Sequence, residues 1–416
     1  MAITSLTYAA PVRRLPRPLN LDYALLEAAS AASDDGHVDD AVHKVFAHLF
    51  PGAAVGDLAA QPFTFVQGSS QVTARVEDGQ LAITVPLVRL TPTGNAVAAL
   101  RYALTTISGS GQLYQPRLRG DDLYLEFRDK LTRMHPAKVL EVLRRMPVEA
   151  DRCADWLVGQ FGAQPLERAA IEPLSEDELA RAEAAWRMHW DEVEELLKES
   201  QRKRSTWFLN EVSAIALFRV QFVLPICGYL LARISESAAV WNDGQGDPPK
   251  REAALARTAR EMKAIPSAEL RANLGHARYA LAPLAEGQPS TLAGYFGSGD
   301  YIETIDKYRT QGKSFEAALA LISSCTYLLA RYAWPEDVAA ALMDGLAKAG
   351  GKPWRDAAAL LWDHCKGLVE QFCGDATGDE SDEGGEPGGP DADDAELEAA
   401  TTDETIDDSS RDEETP

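Results

Sequence analysis

The residues that could ligate a metal ion lie far apart in the sequence. Residues 363–365 read Asp-His-Cys and, with Cys373, are the nearest approach to a ligand cluster. The eight-residue gap between the two cysteines matches no usual zinc spacing, so we expect core cysteines and a surface histidine there. His43 and His48 would point about 140° apart on a helix, because each residue turns it by about 100°. Neither pattern predicts a metal site.

Motifs for phosphate binding and nucleophilic catalysis are equally weak. The sequence contains neither a GxxxxGK[ST] phosphate loop nor a GxSxG elbow. Residues 294–300 have GxxGxG character, but a phosphate cradle needs a strand before it and a helix after it. The preceding residues, 287–292, do not resemble a strand, so we expect a flexible loop before a helix. No cofactor is predicted.

Basic and aromatic residues give no strong signal for nucleic acid. Residues 201–204, Gln-Arg-Lys-Arg, form the one dense basic run, whereas a nucleic-acid surface needs more positive charge and interleaved aromatic rings. Trp186 and Trp190 share one helix face, and we expect them to pack between helices. We therefore expect no nucleic-acid partner. Scattered carboxylates converge only in three dimensions, so an enzyme with a site in the helical half, around Asp363 and His364, is an alternative.

The acidic charge is concentrated near the C-terminal end of the sequence. The formal net charge is −23 over 416 residues, and residues 374–416 contain 18 Asp and Glu residues and one Arg. This segment has only two large apolar residues, Leu397 and Ile406. It cannot bury enough apolar surface to offset the entropy of ordering, so we predict a disordered acidic tail. A scaffold or regulatory protein that engages a basic partner through this tail is a second alternative.

Cysteine usage and hydropathy favour a cytoplasmic protein without a membrane span. The five cysteines are odd in number and form no CxxC pair, which favours reduced thiols. Residues 1–20 lack the apolar core of a secretion signal. The most apolar stretch, residues 207–234, contains Glu211, Arg219 and Pro225, whereas a spanning helix needs about 20 residues with few charges. We predict a buried helix there, with an interfacial membrane helix as the less favoured alternative.

Hydrophobic periodicity predicts an α+β domain at residues 21–165, after an irregular lead at 1–20. Asp78-Gly79 between two alternating runs is a favoured type I′ hairpin turn and the strongest local signal. Strands joined by tight turns predict an antiparallel sheet with helices on one face. The predicted order is helix, three strands, helix, two strands and helix, at residues 39–49, 63–66, 72–77, 81–87, 96–107, 112–118, 122–128 and 136–161.

Two of these helices carry finer predictions. In the helix that ends near Ile107, we expect Val97, Leu100 and Leu104 to face inward together with Ile107, because they follow helical spacing. In the last helix, we expect Pro147 to kink or divide it.

From residue 173 onward the pattern is helical and predicts an all-α domain at 173–373. Ser175 and Glu178 form a capping box at its first helix. Residues 241–249 resemble a polar Gly/Pro loop. Helices are predicted at residues 175–200, 204–237, 250–263, 267–282, 300–310, 314–332, 335–348 and 354–373.

Residues 39–162 resemble the type III secretion chaperone and YbjN-like fold of the Tir chaperone superfamily. The resemblance rests on the element order α-β-β-β-α-β-β-α. It also rests on three stretches: LAITVPLV at 81–88, DLYLEFR at 122–128, and VEADRCADWL at 148–157, which Phe161-Gly162 follows.

The resemblance implies a small binding scaffold, often a homodimer, that holds an extended segment of another protein without a cofactor. The predicted function is a protein-binding chaperone or adaptor rather than an enzyme, with the helical domain as a second interface. An uncovered sheet face or edge could accept a strand. The candidate partner contacts are Tyr124, on the sheet face opposite Leu125, together with Tyr114 and Arg75.

Overall fold

The computed structural model describes residues 3–19, 21–92, 94–107, 113–242, 247–281 and 284–374. Apart from Gly374, the predicted acidic tail lies outside the described residues, as does part of the loop predicted at 241–249. Within the described residues the fold is α+β, as predicted.

The N-terminal half contains four helices and a five-stranded sheet. In chain order the elements are α1 (Tyr23–Asp34), α2 (Val38–Leu49), β1 (Phe63–Gly68), β2 (Ser70–Glu77), β3 (Gln80–Arg89), α3 (Ala96–Ile107), β4 (Gln115–Arg119), β5 (Asp122–Lys130) and α4 (Pro136–Phe161). From α2 onward this is the predicted order. The helix predicted to kink or divide at Pro147 is not divided there: α4 continues through it, because a proline removes only one main-chain hydrogen bond from a long, otherwise packed helix.

The five strands pair antiparallel in the order β4-β5-β3-β2-β1, and two short strands from later in the chain complete a seven-stranded sheet. Glu77 pairs with Gln80 where β2 turns into β3. Asp78 and Gly79 between them have φ of 50° and 68°, and positive φ at both central positions is the requirement of a type I′ turn. The predicted hairpin is confirmed.

One face of the sheet is covered by helices. Alternate residues along the strands point to the same face, and those on the covered face are buried in a cluster with side chains of α2, α3 and α4. Its large members include Val45, Phe46, Ile83, Val85, Leu125, Phe127, Leu143 and Met146. The predicted helical layer on one face is therefore present.

The C-terminal half is mostly helical. Its helices are α5 (Glu176–Lys203), α6 (Thr206–Ala214), a π-helical segment (Ile215–Arg219), α7 (Val220–Val223), α8 (Gly228–Asn242), α9 (Pro248–Lys263), α10 (Ser267–Ala272), α11 (Pro289–Phe296), α12 (Asp300–Thr310), α13 (Ser314–Arg331), α14 (Glu336–Ala349) and α15 (Trp354–Phe372). The predicted capping box is confirmed, because the Ser175 hydroxyl accepts from the Glu178 amide while the Glu178 carboxylate accepts from the Ser175 amide.

Three predictions in this half were wrong in detail. The helix predicted at 204–237 is interrupted before Pro225, where Leu224 is extended with ψ of 138°, because a proline disfavours helical backbone in the residue before it. The helix predicted at 267–282 ends at Ala272. The loop predicted at 294–300 is shorter, because α11 continues to Phe296.

Within the helix predicted at 267–282, residues 278–279 form a short strand instead. Four two-residue strands are described: β6 (Gln164–Pro165), β7 (Arg278–Tyr279), β8 (Ala285–Glu286) and β9 (Tyr332–Ala333). β7 pairs antiparallel with the outer edge of β1. The hydrogen bonds of this edge outweigh the local helical pattern, and the C-terminal half is not strictly all-α.

The buried apolar residues form two clusters. One contains the sheet, α2, α3 and α4, and the other contains the helices from α5 onward. Residues 3–19 precede the sheet in sequence but pack on the helical cluster, where Leu6 and Val12 are buried and Val12 donates its amide to the Val223 carbonyl at 2.8 Å. The predicted domain boundaries, 21–165 and 173–373, stay predictions.

Among the described residues, no helix is long and apolar enough to cross a membrane. Glu211 and Arg219 interrupt the apolar stretch at 207–234, and both side chains are buried inside the helical cluster.

Candidate functional site

The sheet face that points away from the helices is polar and charged. We call it the open face; its central residues, from β2, β3, β4 and β5, are Arg75, Glu77, Pro86, Arg117, Arg119, Tyr124, Glu126 and Arg128. Neighbouring strands place these residues side by side, because residues that pair across an antiparallel sheet share a face. The four arginines among them are exposed.

Tyr124 lies at the centre of the open face, as predicted from its alternation with Leu125. It is half-buried, with Pro86 opposite it on β3 and Arg117 opposite it on β4. The Arg119 guanidinium lies 4.9 Å from the centre of its ring. A half-exposed ring flanked by cations and a proline can contact an apolar or acidic partner side chain.

A chain of ion pairs surrounds the nearly buried Glu126. Arg119 and Arg128 each donate to its carboxylate at 3.1 Å, and Arg128 also donates to Glu77 at 3.3 Å. The hydrogen bond to Glu126 is the main reason that the pKa of Arg128 is raised. Arg75, the second predicted contact, pairs with Glu77 at 2.8 Å.

Positive charge exceeds negative charge on this face. Arg117 and, at the end of β5, Lys130 form no ion pair with any carboxylate of the described chain segments. Asp122, Glu126 and Glu77 already have arginine partners. The open face can therefore attract an acidic partner segment, and this attraction should weaken with salt.

Tyr114 does not join Tyr124 on the open face. Its side chain is only 3% exposed and belongs to the apolar cluster under the sheet, where its hydroxyl donates to the half-buried Glu149 of α4. Burial, followed by the proximity of Glu149, raises the pKa of Tyr114. The residue precedes β4, so the alternation of the strand does not determine its direction.

β4 forms one edge of the sheet. It pairs with β5 on one side, and no other described strand pairs with its second side. Four of its five residues are exposed, and the fifth, Pro116, is a residue type that sheets tolerate at their edges. On the opposite edge, β7 pairs with the last two residues of β1, Gln67 and Gly68. Within the described sheet, the second side of β4 is unpaired along the whole strand, whereas the β1 edge is closed by β7 at that one end.

Exposed apolar side chains concentrate beside this edge. We define the edge patch as the free side of β4 together with four exposed apolar residues of α3 and the β4 segment. They are Val97, Leu104, Leu113 and Leu118. α3 packs next to β4, so the patch combines a hydrogen-bonding edge with apolar surface.

The prediction that Val97 and Leu104 face inward was wrong. Their side chains are 69% and 54% exposed, whereas Ala99, Ala103 and Ile107 are buried. The helix thus turns Ala99 and Ala103, together with Ile107, toward the core and leaves Val97 and Leu104 outside. The helical periodicity of the sequence identified the apolar residues of this helix but not which of its faces packs on the core. Pro116 could have indicated that β4 is an edge strand, because proline is tolerated at sheet edges.

The alternative enzymatic site at Asp363 and His364 does not form a converged cluster. Asp363 is exposed. The Nε2 atom of His364 lies 2.8 Å from the carbonyl oxygen of Ala341. Cys365 is buried with its sulfur 3.8 Å from that of Cys325. No group of three or more potential metal ligands occurs within the described ranges.

A buried carboxylate in the helical half has only neutral partners. The Glu211 side chain of α6 accepts from the hydroxyl of Tyr301 at 3.2 Å and from that of Ser323. The Tyr301 hydroxyl also lies 3.0 Å from that of Ser324. Burial raises the pKa of Glu211 to about 7, although the hydroxyl groups oppose this. The cluster links α6, α12 and α13 inside the core.

The chain was compared with protein-family models and with curated proteins, and no match was found. The resemblance of residues 39–162 to the type III secretion chaperone and YbjN-like fold stays a prediction from the sequence.

Proposed function

We propose that this protein is a protein-binding chaperone or adaptor that holds an extended segment of a client protein as an additional strand along β4. The observation that carries the proposal is the edge patch, where the free side of β4 lies beside exposed apolar residues of α3. Main-chain hydrogen bonds to a sheet edge supply affinity for such a segment, and pockets for alternate side chains supply specificity.

The two faces of β4 specify the chemistry of the client segment. Leu118 pairs with Leu123 and so lies on the helix-covered side, whereas Arg117 and Arg119 lie on the open face. A strand added beside β4 alternates in the same way. We infer a client segment with apolar residues at every second position and acidic residues between them.

A cytoplasmic location is part of the same proposal. All five cysteines are unpaired, and four of them are buried. Proteins with unpaired cysteines are typical of reducing compartments. A homodimer formed through the same edge would compete with client binding. The oligomeric state of the protein should therefore be measured together with client binding.

The proposal can be tested by affinity purification of the tagged full-length chain from its native cells, with identification of retained proteins by mass spectrometry. Leu118→Asp should abolish retention of the client, because it places a charge on the apolar side of the added strand. Val148→Asp is the matched control, since Val148 is an exposed aliphatic residue of α4 rather than of the edge. Equal retention by both variants would contradict the proposal.

Hydrogen exchange then distinguishes strand addition from side-chain contact alone. With purified client, the amides of β4 should exchange more slowly, because an added strand forms main-chain hydrogen bonds with them. Arg117→Glu should slow association and reduce its salt dependence. Unchanged exchange in β4 during saturating client binding would reject an added strand.

A further inference from the structure

A cavity of about 370 Å³ lies where three separate parts of the chain meet. Its walls come from the N-terminal lead at residues 13–19, from the turn around Pro225, and from residues 275–281, which include β7. Its volume lies within the range of small-molecule sites, about 300–1,000 Å³. It is distinct from the edge patch, because it lies on the β7 side of the sheet.

Four arginines line this cavity, and two of them are already neutralised. Arg14 donates to both oxygens of Glu172, at 2.9 and 2.6 Å, and Arg17 forms an exposed ion pair with Glu336 at 2.9 Å. These pairs leave the charges of Arg13 and Arg278 to be balanced.

Neither Arg13 nor Arg278 forms an ion pair within 4 Å of a described carboxylate, although Arg278, after Arg14, helps to lower the pKa of Glu172. Arg13 donates through Nη1 to the Gln221 carbonyl at 2.8 Å, which is a neutral acceptor. Its burial lowers its pKa, because a guanidinium removed from water loses hydration that a neutral acceptor replaces only in part. Arg278 is exposed at the rim, and no described side chain accepts from it. With four guanidinium groups and one carboxylate, that of Glu172, the lining of the cavity carries a net positive charge.

Further polar and apolar groups complete the lining. His276 is 7% exposed, and its Nε2 has no hydrogen-bond partner among the described atoms; a carboxylate oxygen of Glu178 is 3.8 Å away. Burial, followed by the proximity of Arg14, lowers the pKa of His276. Ile226 supplies apolar wall.

We propose that this cavity binds a small phosphorylated molecule, whose phosphate is held by Arg13 and Arg278 and whose apolar part contacts Ile226. Two guanidinium groups match a dianionic phosphate in charge, and their planar N–H donors match its oxygens. The bound molecule would join the lead, the turn at Pro225 and the strand that covers β1.

Calorimetric titration of the full-length chain with inorganic phosphate and with AMP tests this site. Inorganic phosphate carries the phosphate chemistry alone, and AMP adds a ring for the apolar wall. We expect one site per chain, with AMP bound more tightly than inorganic phosphate. Sodium chloride of equal ionic strength serves as the reference for unspecific salt effects.

Arg278→Ala should weaken the binding of both probes by about tenfold or more, since a hydrogen bond between charged groups is lost. Arg278 is exposed, so the variant should unfold at the wild-type temperature. Arg181→Ala, an exposed arginine of α5 with no described ion pair, is the matched control and should bind like the wild type. Arg13→Lys keeps the charge but removes the planar fork, and should also weaken binding.

The proposal is overturned if neither probe binds the wild-type chain in the millimolar range, or if Arg278→Ala binds as well as Arg181→Ala. Because the cavity and the edge patch do not share residues, neither result affects client retention by the Leu118→Asp variant. The two proposals can therefore fail separately.

Discussion

Glu211→Gln should stabilise the protein at alkaline pH. The pKa of Glu211 is raised from 4.5 to about 7 in the folded chain by burial. At 1.36 kcal/mol per pKa unit, this difference corresponds to about 3 kcal/mol. Because the folded-state pKa is the higher one, the stabilising contribution is complete below pH 4.5 and is lost as pH rises to 7. Above pH 7 the buried carboxylate is ionised beside Tyr301 and Ser323, which are both neutral.

Glutamine keeps the shape of the side chain and cannot ionise. The variant should therefore resemble the wild type at pH 5 and exceed its free energy of unfolding by about 1–3 kcal/mol at pH 8, where the charged form is costly. The Ser323 hydroxyl, which now donates to Glu211, can rotate to accept from the new amide.

The assay is urea unfolding of wild type and variant at pH 5, 6, 7 and 8, followed by tryptophan fluorescence. Comparison at each pH cancels the contributions of all other titrating groups. Glu303→Gln makes the same chemical change on the exposed side of α12 and is the control. If Glu211→Gln is less stable than the wild type at pH 8, or if their difference does not vary with pH, the argument from burial is wrong.

Three further predictions concern local structure. Gly68→Ala should destabilise the fold by about 2 kcal/mol or more in urea unfolding, because Gly68 has φ of +64° and a Cβ there would overlap the Asp151 carboxylate; Gly79→Ala has equally positive φ but open space and should cost less. Ser175→Ala should lower the unfolding free energy by about 1 kcal/mol, since it removes the cap of α5; equal stability would show that the capping box is redundant. Under native alkylation followed by mass spectrometry, Cys373 should react first, because the other four cysteines are buried; the reverse order would contradict the described packing.

Local signals in the sequence predicted the elements that depend on neighbouring residues. Asp78-Gly79 fixes its hairpin through its own backbone preferences, and Ser175 with Glu178 satisfies amides within one turn. Hairpin turns and helix caps depend on a few neighbouring residues only, so a short sequence pattern is enough to predict them.

Features that depend on distant contacts could not be predicted in this way. Residues 278–279 carry a helical pattern, yet they pair with β1, which lies about 210 positions earlier. Tyr114 was expected on the open face, but Glu149 and the core beneath the sheet hold it on the other side. In both cases tertiary contacts outweigh local propensity.

The candidate site was predicted only in part. Alternation along β5 correctly placed Tyr124 away from the helices, because strand geometry allows two faces only. The edge patch was not predicted, because the spacing of apolar residues such as Val97 and Leu104 does not show whether another element packs on them. The cavity was missed as well, since Arg13 and Arg278 are 265 positions apart in the sequence and no spacing relates them.

The pairing of β7 with β1 has a consequence for synthesis on the ribosome. All five strands of the sheet are complete once Lys130 has emerged, but the residues that cover the β1 edge follow about 150 positions later. At a rate of about 5–20 residues per second, both edges of the nascent sheet stay open for several seconds to half a minute. During this interval the newborn chain exposes the end of the β1 edge at Gln67 and Gly68, which β7 covers in the finished protein, and this exposure favours pairing with neighbouring nascent chains.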